Sequence, residues 1–204
     1  VEGTLSNVQV MMEKPELPDR KMLTEVLTTA HDQVLYLAKM VNDLSTLSRA
    51  ERGVADAPED IDIDELVTKM HGAYQKDAAD RKLHLNLDMG PKLGKIHVSR
   101  LYVEELLQNF MTNAIKYTNE GTITIIVKQS KGIVRFAVKD TGIGISRGDQ
   151  AKIFNKFYRS EDYRIRETSG TGLGLYVSAK LSHKLGTKIV LKSRLNHGSE
   201  FSFE

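Results

Sequence analysis

The amino-acid sequence predicts an α+β fold in two parts, in which a helical hairpin is followed by a two-layer α/β sandwich. Residues 19–51 carry apolar residues at heptad spacing, which is typical of a helix in a bundle. After residue 60, helical and strand-like patterns mix without the strict strand–helix–strand order of a parallel sheet. A short segment that contains Pro58 separates the two patterns. We therefore predict two domains, residues 1–54 and 55–204.

The composition is that of an ordinary soluble domain. Of 204 residues, 40% are hydrophobic and 27% are charged, and the formal net charge is +2. A charge this close to zero does not require a nucleic-acid or membrane surface. The chain has no cysteine, which excludes disulfides and thiolate chemistry. Because the sequence begins with Val1 and not with Met, we expect it to be part of a longer protein.

The first 51 residues predict two helices. The longer apolar stripe occupies both seam positions of the heptad: Leu23, Leu27, Ala30, Val34, Leu37, Val41 and Leu44. A shorter stripe lies upstream, at Leu5, Val8 and Met12, and Pro15 and Pro18 break the helix between the stripes. One amphipathic helix cannot bury such a stripe alone. We therefore predict a hairpin that forms a four-helix bundle with a second copy, so that the chain is a homodimer. Gly53 is expected to end the longer helix.

The second part predicts several shorter elements in sequence order. A helix is expected around residues 66–74, a half-buried strand at 83–89 and a helix at 99–117. A β-hairpin is expected at 122–128 and 133–139, around Lys131 and Gly132. A helix at 175–185, closed by Gly186, precedes two final strands at 188–192 and 200–203.

The helix at 99–117 carries the first candidate site residues. Asn109 and Asn113 are four residues apart and share one helix face, and Lys116 lies three residues further on. Amide oxygens can bind a hard cation such as Mg²⁺, and a lysine beside them can neutralise phosphate. Taken alone, the segment fits a solvated polar face better than a site.

A second candidate segment begins at Asp140, directly after an apolar strand. An ionised carboxylate only accepts hydrogen bonds, so it can select adenine, whose exocyclic amine is a donor. Gly142 and Gly144 follow, and they permit unusual dihedral angles and close approach of a ligand. The alternative interpretation is a strand that ends in a glycine turn.

The third candidate segment opens the helix at 175–185. Its residues are Gly170, Thr171, Gly172, Leu173 and Gly174. Free amides at a helix start bind phosphate oxygens, although a flexible glycine loop is the alternative. No Gly-Lys-Ser/Thr follows, so this is not a P-loop. We expect the polar residues 160–169 to form a mobile lid over a polyphosphate, and Phe154 and Phe157 to pack from a short helix before it.

In their order and context, these segments resemble the N, G1, F and G2 boxes of sensor histidine kinases, over roughly residues 20–204. The resemblance extends to the wider ATPase group that includes gyrase, a heat-shock chaperone and the mismatch-repair ATPases. It implies a two-layer α/β sandwich with an ATP and Mg²⁺ site on one face. It implies catalytic roles for Asn109, Lys116 and Arg159, with Arg159 near the terminal phosphate.

The resemblance also assigns the binding residues one by one. Asn113 and Asn109 would hold Mg²⁺, Lys116 would reach the phosphates, and Tyr117 would pack near the adenine. Asp140 would bind the adenine amine in a pocket shaped by Gly142 and Gly144. The phosphates would be bordered by Gly170, Thr171, Gly172, Leu173 and Gly174.

The residue type at the position of Asn109 distinguishes the kinases of this group from the members that hydrolyse ATP. Those ATPases usually have a glutamate four residues before the magnesium-binding asparagine, where it activates water as a general base. Asn109 cannot take a proton, and Glu105 lies one helical turn further back. The site therefore looks built to hold ATP for transfer to a protein group.

The family's acceptor histidine is not visible in this chain. Its motif runs His-Glu, two variable residues and Thr-Pro-Leu, and the closest match is Gly3-Thr4-Leu5-Ser6, with Thr4 in place of proline. This match puts the histidine two residues before Val1. His31 lies in the second helix, where an ordinary bundle histidine is favoured over an acceptor. Either the acceptor lies upstream, or the acceptor site is degenerate.

The resemblance implies an ATP-dependent protein-histidine kinase that relays phosphate to the aspartate of a response regulator receiver domain. It implies the cytoplasmic portion of a bacterial sensor, in which this chain has no membrane segment although the full-length protein can be membrane-anchored. We expect that this chain alone does not phosphorylate itself at the usual position. Two alternatives stay open: a non-catalytic ATP-binding dimerisation or interaction module, and a hydrolytic ATPase of the same fold group.

Overall fold

The computed structural model describes residues 19–52, 57–166 and 170–204. The described chain has six helices, α1 (Arg20–Glu51), α2 (Ile63–Asp80), α3 (Arg100–Tyr117), α4 (Arg147–Gln150), α5 (Tyr163–Arg166) and α6 (Gly174–Lys184). It has seven strands, β1 (Glu59–Asp62), β2 (His84–Met89), β3 (Lys95–Val98), β4 (Thr122–Ser130), β5 (Ile133–Asp140), β6 (Val190–Ser193) and β7 (Ser199–Phe203). The predicted upstream stripe, the acceptor motif and the Gly53 cap lie outside the described residues.

Helix α1 confirms the predicted long helix. Asp19 caps its start, because the Met22 amide donates to Asp19 Oδ1 at 2.7 Å. The predicted stripe is largely exposed, and Leu27, Val34 and Val41 expose 58%, 63% and 68% of their surface. An apolar stripe of this kind needs a partner surface. The bundle and the homodimer stay predictions.

A five-stranded mixed sheet forms the centre of the second part, in the order β2-β4-β5-β7-β6. Strand β2 is parallel to β4, whereas the β4/β5, β5/β7 and β6/β7 pairs are antiparallel. The hairpin register pairs Asp140 with Ile123. This places the Asp140 carboxylate at the end of β5, next to the loop that leads to α4.

Helices α2, α3 and α6 cover one face of this sheet. Strand β4 turns Ile123, Ile125 and Val127 into the core, while the residues between them are partly exposed. From α3, Phe110 stacks on Phe201 of β7, with ring centroids 5.3 Å apart. This arrangement is the predicted two-layer sandwich, and the α+β class is confirmed.

Two features differ from the sequence predictions. Strands β1 and β3 form an antiparallel ribbon in which Ile61 pairs with Ile96, where the sequence predicted only a linker through residue 60. The Phe157 prediction is also wrong, because Phe157 is 54% exposed and has φ +62°. Its amide donates to the Gly172 carbonyl at 3.0 Å, which holds the backbone against the glycine segment and turns the ring outward. Phe154 packs against the core as predicted, but residues 151–157 form turns and a bend instead of the expected short helix.

Helix α1 packs against α6 and thereby lies beside the sandwich. Within the described ranges, no helix has both the length and the apolar character needed to cross a membrane.

Candidate functional site

A cavity of about 460 Å³ brings most of the predicted site residues together. Its walls come from one face of α1, the end of α3, the segment after β5, the residues before α5, the start of α6 and the β6–β7 region. The predicted residues that line it are Asn109, Asn113, Lys116, Tyr117, Asp140, Gly144, Arg159, Gly170, Thr171, Gly172 and Gly174. Gly142 and Leu173 do not line it. The Gly142 amide donates a hydrogen bond to the Asp140 carboxylate, and Leu173 is fully buried.

Asp140 is the buried anion of the cavity. Its Oδ1 accepts the Gly142 amide at 2.8 Å and the Ser199 amide at 3.2 Å. Burial raises the pKa of Asp140, and the hydrogen bonds from the two amides oppose that rise. Both amides point at one carboxylate oxygen, so the other oxygen is suited to accept a hydrogen bond from a ligand.

The turn after Asp140 fits between two pieces of backbone. A Cβ on Gly142 would lie 2.2 Å from the Tyr117 carbonyl oxygen, and one on Gly144 would lie 2.0 Å from the Arg194 carbonyl oxygen. Gly144 also has φ +63°, a region that L residues rarely adopt. The two glycines are therefore required for packing, as well as for the shape of the cavity.

The β6–β7 turn was not predicted as part of the site. It supplies the Ser199 amide, and a Cβ on Gly198 would lie 2.0 Å from the Asp140 carbonyl oxygen. The Ile145 amide donates to Ser193 Oγ at 2.8 Å, which joins the turn to the Asp140 segment. The only sequence signal was the glycine before the last strand, which is common in any hairpin.

The glycine segment lies directly against the predicted residues of α3. A Cβ on Gly170 would lie 2.7 Å from Lys116 Nζ, and one on Gly174 would lie 2.7 Å from Asn109 Oδ1. A larger residue at either position would therefore displace the end of the Lys116 or the Asn109 side chain. The first and third predicted segments therefore lie next to each other in the structure.

Lys116 is a partly buried cation. It donates to the Tyr117 hydroxyl at 2.9 Å, and its Nζ lies 4.6 Å from the Tyr117 ring centre. Burial, which is the largest cause, and the nearby cations of Arg159, Lys39 and Arg81 together lower the pKa of Lys116 to about 8. Several positive charges that converge beside a cavity favour an anionic ligand.

The amide side chains of α3 fit a magnesium ion that is bound together with phosphate. Asn109 and Asn113 both line the cavity, and Asn109 is buried. In the described parts of the chain, no group of three or more His, Asp or Glu side chains could hold a metal ion. Mg²⁺ is usually held by one or two protein oxygens together with substrate phosphates and water. The donor set therefore suits a nucleotide-bound Mg²⁺ and not a metal held by protein alone.

Arg159 lies on a segment that neighbouring hydrogen bonds fix. Its Nη2 donates to the Ile165 carbonyl at 2.7 Å. On either side, the Tyr158 and Ser160 hydroxyls donate to the Asp149 carboxylate at 2.6 and 2.7 Å. The hydrogen bond from Tyr158 is the main cause that lowers the pKa of Asp149. This network was not predicted from the sequence, and it keeps Arg159 beside the cavity.

Comparisons with known proteins identify the family of this chain. The family described as histidine kinase-, DNA gyrase B- and HSP90-like ATPase matches residues 99–204. Drug sensory protein A of Synechocystis sp. is 31% identical over 191 residues, which are 88% of this chain and 29% of that protein. The chain therefore spans about a third of the length of this relative.

Solved structures share the fold. Full-length ShkA, in complex with AMPPNP, matches 97% of this chain and 41% of its own, with 25% identity and a TM-score of 0.76. ThkA, in complex with the response regulator TrrA, matches 98% of this chain and 55% of its own, with 17% identity and a TM-score of 0.71.

The fold is the two-layer α/β sandwich of this ATPase family. The chain belongs to the histidine kinase-, DNA gyrase B- and HSP90-like ATPase family, and within it to the sensor histidine kinases.

Proposed function

We propose that the chain binds Mg-ATP in this cavity and transfers the terminal phosphate to a histidine, for relay to a response regulator aspartate. One observation carries the proposal. A single cavity combines a buried carboxylate, Asp140, with a cationic and glycine-rich wall formed by Lys116, Arg159, residues 170–172 and Gly174. An acceptor-only group suits the adenine amine, and cations with free amides suit polyphosphate.

The protein's own groups have distinct roles in this proposal. Asp140 orients the adenine through its second carboxylate oxygen, because the first already accepts hydrogen bonds from the Gly142 and Ser199 amides. Lys116 and Arg159 stabilise negative charge on the phosphates. Asn113 and Asn109 would hold Mg²⁺, which neutralises phosphate charge when bound.

The environment of Glu105 supports transfer over hydrolysis. Glu105 does not line the cavity. Its pKa is raised, first by burial and then by the nearby Asp43 carboxylate of α1, so it faces α1. Asn109 occupies the position of the general base in the hydrolysing relatives, and an amide cannot accept the proton of an attacking water. A nucleophile from a protein side chain is therefore the better fit.

Two alternative functions differ from this proposal in the fate of the phosphate. A hydrolytic ATPase of the same fold releases the terminal phosphate to water, and a non-catalytic module leaves ATP intact. An assay with γ-labelled ATP and a partner that carries an intact acceptor helix distinguishes all three. Label on a histidine supports the kinase.

The exposed stripe of α1 supports the proposed homodimer. Leu27, Val34 and Val41 lie at heptad spacing and are mostly exposed, which suits burial against the helices of a second copy. The ThkA complex with TrrA supports a response regulator receiver domain as the other partner. We place this domain of the sensor in the cytoplasm, where ATP is available.

The affinity for ATP should fall by about tenfold between about pH 7 and pH 9. The pKa of Lys116 is about 8 without nucleotide, and a bound polyphosphate stabilises the ammonium and raises that pKa. Below pH 8 the lysine is already charged, whereas above pH 8 binding requires uptake of a proton. Calorimetric titration with ATP at several pH values measures this slope.

Lys116→Arg is the matched control, because arginine keeps its charge over this range. The variant should bind ATP with nearly constant affinity from pH 7 to pH 9. An equal slope in both proteins would show that another group titrates, and would remove Lys116 from the phosphate site.

A further inference from the structure

Helix α1 contributes a wall of the cavity that the sequence did not predict. Asp32, Leu35, Tyr36 and Lys39 line it, and their spacing puts them on one helix face. The exposed heptad stripe lies on roughly the opposite face, since an α-helix turns by about 100° per residue. One face of α1 thus remains available for the bundle while the other borders the cavity.

This wall is anchored to the glycine segment. Asp43 follows Lys39 by one turn, and its Oδ2 accepts the Thr171 hydroxyl at 3.1 Å. Both side chains are buried, and the Thr171 hydroxyl also accepts the Leu173 amide at 3.2 Å. Leu47, one further turn along, is buried as well. The contacts fix the cavity-lining face of α1 against the start of α6, where the phosphates are proposed to bind.

We propose that α1 forms part of the nucleotide site and that Lys39 binds the phosphates from this wall. This inference rests on the proposed function, since it adds a residue to the same site. Lys39 lines the cavity one helical turn before Asp43, which accepts the hydrogen bond from Thr171. It therefore lies beside the phosphate-binding wall and not beside Asp140.

The charge distribution supports this assignment. Lys39 lies close enough to Lys116 to lower the pKa of that lysine, and Arg159 does the same from a third element. Like charges repel at short range, so three cations from three separate elements are stabilised by an anion between them. A polyphosphate supplies that anion. Two acidic residues lie on the same face of α1 as Lys39. The Asp43 carboxylate is hydrogen-bonded to Thr171, and Asp32 lies two turns before Lys39.

Nucleotide binding and the docking of α1 against the sandwich are then coupled. A nucleotide that contacts both α1 and the sandwich stabilises the state in which they are in contact, and that contact in turn raises the affinity for nucleotide. Nucleotide occupancy would thereby influence how firmly the bundle helix is held against the ATP-binding domain.

The test compares ATP with adenosine, which lacks phosphates, on the full chain. Lys39→Ala should lower the affinity for ATP about tenfold and leave the affinity for adenosine unchanged, whereas Lys39→Arg should restore binding of ATP. Lys21→Ala is the matched control, because Lys21 is an exposed lysine of the same helix that does not line the cavity. It should bind both ligands like the unmodified chain.

Three results would overturn the inference. Unchanged ATP affinity in Lys39→Ala would remove Lys39 from the site, and the proposed function would stand if Asp140→Asn still lost ATP. An equal loss of ATP and adenosine in Lys39→Ala would show a structural role for Lys39 in docking α1. An unmodified chain that binds no ATP would overturn the inference and the proposed function together.

Discussion

Replacing Asp140 with asparagine is expected to lower the affinity for ATP about 100-fold or more while the fold stays intact. The Gly142 and Ser199 amides both donate to Oδ1 of Asp140. They would hold the oxygen of the new side chain at that position, which turns its NH₂ group toward the proposed adenine. Two donors would then face each other, and a buried donor without an acceptor is costly. Calorimetric titration with Mg-ATP measures the loss.

The same variant should be as stable as the unmodified chain or more stable. Burial raises the pKa of Asp140, so the ionised carboxylate costs stability at neutral pH, and that stability returns as the pH falls through the raised pKa. A neutral asparagine avoids the cost and keeps both amide contacts. Thermal unfolding at pH 7 checks this expectation. Asp88→Asn is the control, because Asp88 is half-exposed, pairs with Lys128 and does not line the cavity.

Gly144→Ala is expected to destabilise the chain by about 3 kcal/mol or more. Gly144 has φ +63°, and the added Cβ would lie 2.0 Å from the Arg194 carbonyl oxygen. The backbone of the β6–β7 turn would have to move, and that turn supplies the Ser199 amide to Asp140. We therefore expect loss of ATP affinity together with loss of stability. Urea unfolding gives the change in the free energy of unfolding.

Gly186→Ala separates backbone strain from the steric clash. Gly186 has φ +73°, and a Cβ there would meet no atom within 4 Å. Its substitution should cost only about 1 kcal/mol, the usual cost of the left-handed conformation for an L residue. A similar cost for both variants would contradict the close packing of Gly144 on the β6–β7 turn.

The sequence predicted the elements whose local pattern is strong. Helix α3 has an apolar face and Ser99 as its cap, and the β4–β5 hairpin has alternating residues around Lys131 and Gly132. Strand β1 was not predicted, because Glu59–Asp62 contains only one apolar residue. It forms a strand by pairing with β3, which lies more than thirty residues further along the chain. Non-local pairing of this kind leaves little trace in a short window of sequence.

The residues of the site were likewise predicted only in part. Asn109, Asp140 and Gly170 were found because their segments have a recognisable order, and they line one cavity. Ser199 acts through its backbone amide, which any residue type could provide. Lys39 could not be distinguished from other charged residues of α1, because its proposed role depends on how α1 docks against α6. Such roles come from tertiary packing, which periodicity does not describe.

This chain is proposed to transfer the terminal phosphate of ATP to a histidine. The most direct measurement incubates it with γ-labelled Mg-ATP and a partner chain that carries an intact acceptor helix. We expect label on the partner that is stable in base and lost in acid, as is typical of phosphohistidine, and no label when Asp140→Asn replaces the unmodified chain. Label found only as free phosphate, or ATP bound without transfer of label, would refute a histidine kinase function.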